Sequence, residues 1–196
     1  MKKSIIVLIV IAVVAIAIFG WVKGSYNAMV GAEESATTAL ANLQSTYQRR
    51  ADLIPNLVEV VKGYAAHEKE TLEGVVNARA KATQITLDPE NLTPEKLQEF
   101  QKAQGELGSA LGRLIAVSES YPDLKANENF MNLQAQLEGT ENRINEARNK
   151  YNAVVQDYNV LIRSFPKNIL AGLFNFDKMT KFEAEAGAQK APEVKF

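Results

Sequence analysis

The sequence contains no cysteine and a single histidine, His67. Without cysteine the chain can form no disulfide, no thiolate metal site and no thiol nucleophile. Its 22 basic and 23 acidic residues nearly cancel, so no overall charge draws the chain to nucleic acid. Phosphate-binding glycine loops, nucleophile elbows and His-Glu-x-x-His patterns are also missing. We therefore expect a protein that is not an enzyme, with no cofactor, no metal site, no nucleic-acid partner and no small-molecule substrate.

Apolar residues are concentrated at the start of the chain. Residues 4–22 are nineteen consecutive uncharged, mostly apolar positions. As a helix this run would measure about 28 Å, close to the hydrocarbon thickness of a bilayer, about 30 Å. Trp21 and Lys23 stand where interfacial aromatic and basic side chains are usual. The sequence therefore predicts a single membrane-spanning helix between Ile5 and Val22.

The same run also matches a cleavable signal peptide, because Ala15-Ile16-Ala17 has the small-x-small pattern of a cleavage site. The run continues for five uncharged residues beyond that site, and this length favours an anchor. Two lysines precede the run, whereas Lys23 alone follows it closely. This distribution of positive charge favours a cytoplasmic N-terminus with the rest of the chain outside.

Beyond residue 25 the sequence indicates helices throughout. Apolar residues recur at helical 3-4 spacing in three stretches, and no convincing strand alternation is present. The pattern predicts an all-α fold in which an antiparallel up-and-down helical bundle follows the membrane helix. The apolar positions are Leu40, Leu43, Tyr47, Ile54, Leu57, Val61 and Tyr64; Leu97, Phe100, Leu107, Leu111 and Leu114; and Phe130, Leu133, Leu137, Thr140, Ile144, Ala147, Tyr151, Val154, Tyr158, Leu161 and Phe165.

Three breaks in the chain predict the number of helices. Residues 52–56 and 123–127 share the pattern Asp-Leu-x-x-Asn, in which the asparagine is suited to cap the next helix. Pro55 disfavours helical backbone at the residue before it, and residues 88–94 are rich in loop-forming residues. If all three breaks reverse the chain, four helices result, at about residues 26–50, 56–86, 93–119 and 124–165.

A bundle of three long helices is the alternative. The apolar spacing keeps its phase across Pro55, at residues 47, 50, 54, 57 and 61, as it would in one continuous helix that is kinked at proline. Residues 26–86 would then form one long helix. We favour four helices over this alternative.

Thr93 followed by Pro94 marks the start of the helix after the loop of residues 88–94, since these residues suit an N-cap and a first helical position.

Charged residues beside two of the breaks are the candidate interaction site. Arg49, Arg50 and Asp52 lie at one break, and Glu119, Asp123 and Lys125 lie at the other. In a four-helix bundle both groups would lie at the same end. Capping and ion pairing across the turns would explain them, with a contribution to stability of only about 0 to 1 kcal/mol per pair. The alternative explanation is a docking patch for another protein.

The last part of the chain, residues 166–196, has a different character. It begins with a short apolar stretch at helical spacing that includes Ile169, Leu170, Leu173 and Phe174. This stretch would cap the bundle, lie at the membrane interface or bind a partner, and Leu173 and Phe174 are its candidate contact residues. About a dozen small and charged residues at the end are predicted to be disordered. The predicted domains are therefore residues 1–25, 26–165 and 166–196.

A series of motifs runs in order along the chain: Tyr26-Asn27, Arg49 to Val58, Val61 to Glu68, Ala78-Arg79-Ala80, Tyr121 to Asn127, Leu137 to Ile144, Arg148, and Tyr151-Asn152. This series resembles the LemA family over nearly the whole chain, the anchor included, and departs from it near residues 88–94 and in the tail. The resemblance implies a bacterial, membrane-anchored helical bundle. It supplies no catalytic residues, because that family has no established biochemical activity.

These features predict a non-enzymatic helical scaffold that serves as a protein-interaction or assembly module at the bacterial cytoplasmic membrane. Its expected partners are the lipid bilayer and either further copies of the chain or other proteins. The resemblance suggests one alternative, a regulator or adaptor of membrane proteolysis and envelope stress, because genes of the family often accompany that of a heat-shock membrane metalloprotease.

Overall fold

The computed structural model describes residues 2–183, except for the side chains of Lys2 and Glu90. These residues form helices joined by short turns, without a strand among them, which confirms the predicted all-α class. The disorder predicted for the end of the chain concerns residues outside the described range. The helices are α1 Lys2–Tyr64, α2 Lys69–Gln84, α3 Pro94–Val117, α4 Pro122–Lys125, α5 Glu128–Arg163 and α6 Lys167–Leu173.

The described chain divides into two compact units. The N-terminal unit consists of residues 2–38 and 152–179, and the bundle unit consists of residues 39–151 and 180–183. Both α1 and α5 contribute residues to each unit. The domain limits predicted at residues 25 and 165 stay a prediction.

Four long helices supply most of the core of the bundle unit: α1 from residue 39 onward, α2, α3, and α5 up to residue 151, and the short α4 adds Leu124. Each presents an apolar face to a shared interior, as the up-and-down bundle requires. Burial of one large apolar side chain stabilises such a core by about 1.5 to 3 kcal/mol. The most deeply buried members are Ile54, Leu57, Val61, Ala65, Val75, Leu107, Leu114, Leu124 and Phe130.

The break predicted at Pro55 is wrong, because α1 continues through this proline to Tyr64. Proline has no backbone N–H, so the carbonyl of Ala51, four residues earlier, loses its helical hydrogen bond. The Nε of Arg79 on α2 donates a hydrogen bond of 2.8 Å to that carbonyl and replaces the missing partner. The alternative helix of residues 26–86 is wrong as well, since the chain reverses after Tyr64.

The reversal between α1 and α2 occupies residues 65–68. The backbone N–H of Glu68 donates to the carbonyl of Ala65 at 3.0 Å. Side chains tie this turn to the segment before α5: Tyr121 donates its hydroxyl proton to Glu68 at 3.1 Å, and Asn127 donates to the hydroxyl of Tyr64 at 3.0 Å. The bundle therefore has four helices, but its first turn lies about ten residues later than predicted.

Two predicted helix caps are confirmed and one is not. The hydroxyl of Thr93 accepts a hydrogen bond of 3.3 Å from the backbone N–H of Lys96, with proline at the first position of α3. The carboxamide of Asn127 accepts one of 3.0 Å from the N–H of Phe130 and caps α5. Asn56, the third candidate, lies inside α1 and caps nothing. The shared Asp-Leu-x-x-Asn pattern thus marks a helix start only at its second occurrence.

The buried face of α5 follows the predicted apolar positions as far as Tyr151. Beyond it, Tyr158 stays buried, but Val155 and Ile162 are buried in place of the predicted Val154 and Leu161. The predicted set repeats every 3.5 residues, but a straight helix has 3.6 residues per turn, so the set drifts by about 20° per heptad. Toward the end of α5 this drift moves the buried face by one residue at two of the predicted positions.

Candidate functional site

A buried arginine joins the four helices of the bundle unit. Arg50 on α1 has a side chain that is only 6% exposed. Its Nη1 donates to Glu141 of α5 at 2.6 Å, and its Nη2 donates to the side-chain oxygen of Gln104 of α3 at 2.6 Å. Gln104 in turn donates to the carbonyl of Ala82 at the end of α2, at 3.3 Å. We name Arg50, Gln104 and Glu141 the Arg50 cluster.

The chemistry of the Arg50 cluster is that of a structural junction. The guanidinium of Arg50 also lies 5.4 Å from the ring centroid of Tyr47, a cation–π contact. Glu141 is half exposed, so one side of the ion pair is open to water, whereas the amide of Gln104 is buried. A buried network of this kind fixes which helix faces meet, because each member loses its partner if the helices slide.

A groove lies beside the Arg50 cluster, between α1, the end of α2 and α3. It has a volume of about 370 Å³ and is open to solvent on one side. Gln44, Ser45 and Gln48 of α1 and Thr83 of α2 supply polar groups at its walls. The side-chain amide of Gln44 donates to the carbonyl of Leu87 and holds the α2–α3 connection against α1. Amides and hydroxyls of this kind are suited to hydrogen bonding with a polar chain segment.

The first predicted interaction group is divided by the structure. Arg49 and Asp52 are exposed on α1, and Asp52 accepts a hydrogen bond of 2.7 Å from Gln48. Arg50 is buried in the cluster described above, so it does not belong to an exposed patch. The prediction that these residues flank a turn is wrong, because α1 is unbroken there.

The second predicted group lies on and around α4. Asp123 and Lys125 are both exposed, and Lys125 forms an ion pair of 2.6 Å with Glu119. This group packs at the C-terminal end of α1, where Asn127 contacts Tyr64. Arg50 lies fourteen residues before that end, or about 21 Å along the helix axis. The two groups therefore do not share one end of the bundle unit, contrary to the prediction.

The third predicted pair, Leu173 and Phe174, belongs to the N-terminal unit. Leu173, the last residue of α6, is 70% exposed. The ring of Phe174 lies 5.0 Å from that of Tyr26, in an edge-to-face arrangement. α6 itself packs through Leu170 and Ala171 on a small apolar core. The two predicted contact residues thus differ, since one contacts α1 and the other faces outward.

The start of α1 carries the predicted membrane segment. Among the described residues, α1 is the one helix long and apolar enough to cross a membrane, judged by length and composition. Side chains from Ser4 to Trp21 are exposed along this part of the helix, whereas Val22 is half-buried. An exposed apolar run of this length is typical of a segment surrounded by lipid.

His67 and Arg148 are polar residues outside these groups. His67 is exposed in the turn between α1 and α2. Within residues 2–183 no group of three histidine, aspartate or glutamate side chains is placed to hold a metal ion. A second internal arginine, Arg148, donates to the hydroxyl of Tyr47 at 2.9 Å and lies 5.8 Å from the ring centroid of Phe182.

The segment after α6 is held along α5 by three side chains. In the N-terminal unit, Tyr158 donates to the carbonyl of Asp177 at 3.0 Å, and Asn159 exchanges two hydrogen bonds of 2.9 Å with the backbone of Met179. In the bundle unit, Tyr151 donates to the carbonyl of Thr180 at 2.9 Å. Sequence periodicity marked the two tyrosines as core residues but gave no signal for these backbone partners.

Ionisation of the two tyrosines is expected to destabilise the protein at high pH. Burial raises the pKa of Tyr151 to about 12, and burial followed by Glu33 and Asp177 raises the pKa of Tyr158 to about 12, from the ordinary value of 10.0. Both rings therefore favour folding fully below pH 10, and this contribution is lost as the pH rises through about 12. Absorbance titration of the phenolate, with unfolding measured in parallel, checks the window.

A matched pair of variants assigns that effect. Tyr151→Phe and Tyr158→Phe each remove one late-titrating group, so each variant should lose less stability than the wild type between pH 10 and pH 12. Tyr64→Phe, at an exposed ring, is the control and should keep the wild-type profile. Identical profiles for all four proteins would contradict the assignment to the buried rings.

Comparison with known proteins identifies the family. The LemA family model matches residues 39–196. The magnetosome protein MamQ of Magnetospirillum gryphiswaldense is 29% identical over 180 residues, which cover 83% of this chain and 66% of that protein. Magnetosome protein MamQ 2 of Paramagnetospirillum magneticum is 28% identical over 81% of this chain and 64% of its own length.

The chain thus spans a little less than two thirds of these magnetosome relatives. Protein LemA of Metamycoplasma hominis is 25% identical over 183 residues, which cover 93% of this chain and 80% of that protein. The family model covers well over half of the sequence, and it includes both the Arg50 cluster and the segment after α6. The chain belongs to the LemA family.

Proposed function

We propose that this protein is a membrane-anchored, non-enzymatic assembly module whose helical bundle binds further copies of the chain or other proteins. The observation that carries the proposal is that one helix, α1, contains both the apolar segment and core residues of the bundle unit such as Leu57 and Val61. The same helix therefore serves as anchor and as bundle element. A bundle tethered to a membrane meets its co-resident partners at a raised effective concentration, so modest contacts suffice for assembly.

The distribution of charge in the bundle unit supports this proposal. The buried charge of Arg50 is engaged with neighbouring helices and is not presented to a substrate. Arg49 and Asp52 are exposed on α1, and Asp52 accepts a hydrogen bond from Gln48, which lines the open groove. Rim charges of this kind contribute mainly to the rate and specificity of association. The named relatives agree with a role of this kind, since two are called magnetosome proteins, after a cell structure and not after a reaction.

The exposed charges of α1 provide the test. Exchanging them in the double variant Arg49→Glu with Asp52→Lys keeps the net charge, the exposure and the Arg50 cluster. We expect this variant to lose most of the complexes that crosslinking captures in membranes, because a complementary surface would then meet like charge. Crosslinking in cells, followed by mass spectrometry of the detergent-extracted full chain, measures the loss.

The matched control is the same exchange on α3, Glu99→Lys with Lys102→Glu, at exposed positions with the same spacing. It should leave the complexes unchanged. Circular dichroism of both variants must show the helical content of the wild type. Equal losses from the two exchanges would remove α1 as the docking surface, and a wild-type chain without any crosslinked complex would contradict the proposed function.

A further inference from the structure

An exposed apolar surface lies on α6 and the turn before it. α6 buries Leu170 and Ala171 in the core of the N-terminal unit. Ile169 and Leu173 lie one helical turn apart and are 62% and 70% exposed. Phe165, in the turn before α6, is also exposed. We name Phe165, Ile169 and Leu173 the α6 apolar face. Large apolar side chains grouped in this way mark a contact with something outside the unit.

The apolar segment of α1 ends beside this face. Val22, near the end of that segment, packs on the same small core as α6. Tyr26 lies one turn further along α1, and its ring is 5.0 Å from Phe174 and 5.6 Å from Phe176. One turn of helix advances about 6 Å, and each headgroup layer of a bilayer is about 5 to 7 Å thick. A bilayer crossed by the apolar segment would therefore place the end of α6 at the depth of its head groups.

Basic residues adjoin α6 and the apolar segment of α1 in the sequence. Arg163 ends α5, Lys167 begins α6, and Lys23 directly follows the apolar segment. Asp177 is the acidic side chain closest in sequence to α6. A helix with an apolar side and neighbouring basic residues is typical of elements that lie in the plane of a membrane interface, where anionic head groups attract the cations.

We propose that the α6 apolar face rests in the headgroup layer of the bilayer, as a second membrane contact beside the spanning segment. This inference depends on the membrane anchor of the proposed function and adds the orientation of the N-terminal unit at the membrane surface. The occupant is lipid, because the face adjoins the one segment of the described chain that is already suited to lipid. A second copy or another protein on this face is the competing outcome.

The absence of cysteine makes a direct test simple. The full chain carries one substitution at a time, Ile9→Cys, Leu173→Cys or Met131→Cys, and the new cysteine is labelled with a nitroxide. Each labelled chain is reconstituted in vesicles of phosphatidylcholine and phosphatidylglycerol in equal parts. Ile9 reports the spanning segment, Leu173 reports α6, and Met131 is a matched exposed apolar residue in the bundle unit. Power saturation with oxygen and with a water-soluble nickel chelate then measures how deep each label lies in the membrane. Ile169→Cys serves as a second reporter of α6.

The inference expects Leu173 and Ile169 to show an oxygen-to-nickel accessibility ratio several-fold above that of Met131 and below that of Ile9. If the accessibility ratio at Leu173 equals that at Met131 while the ratio at Ile9 is that of a label in lipid, the inference is overturned and the anchor is left intact. Low accessibility of Leu173 to both reagents would mean that protein covers the face, and this too would overturn it. A water-exposed Ile9 would contradict the anchor itself, and with it both proposals.

Discussion

Replacement of Arg50 by alanine is expected to lower the free energy of unfolding by about 2 to 4 kcal/mol. The variant would lose the ion pair with Glu141 and would leave the buried side-chain oxygen of Gln104 without its donor. It would also remove the long aliphatic stem that fills the space between the helices. Urea unfolding of the full chain in detergent, followed by the helical circular dichroism signal, measures the change.

The adjacent residue provides an unusually close control. Arg49→Ala removes the same side chain one position earlier, but from an exposed site, so it should change the free energy of unfolding by no more than about 0.5 kcal/mol. Equal effects at the two positions would contradict the role given to the Arg50 cluster.

Two further variants separate the charge from the volume of Arg50. Arg50→Met keeps most of the stem and removes the charge. It should cost about half as much as alanine, because within residues 2–183 the buried Nε of Arg50 has no hydrogen-bond partner and its burial is itself unfavourable. Glu141→Gln keeps an acceptor at a half-exposed site and should cost about 1 kcal/mol.

The inward position of Arg50 could be predicted from the sequence, although its partners could not. Residue 50 falls in phase with Tyr47 and Ile54 in the apolar spacing of α1, so a continuous helix must turn it toward the core. Gln104 fills the gap that the apolar set of α3 leaves between Phe100 and Leu107. Two polar residues in core phase predict a buried polar contact. That they meet each other depends on the packing of α1 against α3, which no local pattern specifies.

The continuity of α1 through Pro55 shows a different kind of limit. Proline disfavours the helix locally, and local rules therefore predicted a break. The carbonyl that proline leaves without a partner is satisfied by Arg79, which is 28 residues beyond Ala51 in the chain. Because this compensation is tertiary, the local signal is correct about the lost hydrogen bond and wrong about its consequence. The unbroken helical spacing of apolar residues across Pro55 predicted correctly that the helix continues through it.

The exposure of the α6 apolar face was only partly predictable. Helical spacing predicted α6 itself, since Ile169, Leu170 and Leu173 recur at the right intervals. Which of these residues is buried depends on the rotation of α6 about its own axis, and that rotation is set by the contact of Leu170 with the core of the N-terminal unit. The drift of the α5 pattern, in contrast, follows from helix geometry alone and could have been corrected from the sequence.

Two arginines in the apolar segment are expected to abolish stable membrane attachment. In the double variant Ile9→Arg with Val13→Arg, both charges lie one turn apart near the middle of the exposed apolar run. Each costs about 2.5 to 3.5 kcal/mol at the centre of a membrane helix, so together they oppose insertion by about 6 kcal/mol, a roughly 10,000-fold change in partition. Carbonate extraction of membranes should recover the variant in the soluble fraction and the wild type in the pellet.

The conservative double variant Ile9→Leu with Val13→Leu is the control, because it keeps the length and apolar character of the segment and should remain in the pellet.

The mass of the extracted wild-type chain decides between anchor and signal peptide, since cleavage after Ala17 would remove the segment. If the α6 apolar face contacts lipid, the arginine variant should still bind anionic vesicles weakly and reversibly, because interfacial contacts alone give marginal attachment. Retention of the arginine variant in carbonate-washed membranes would show that residues 4–22 are not the anchor.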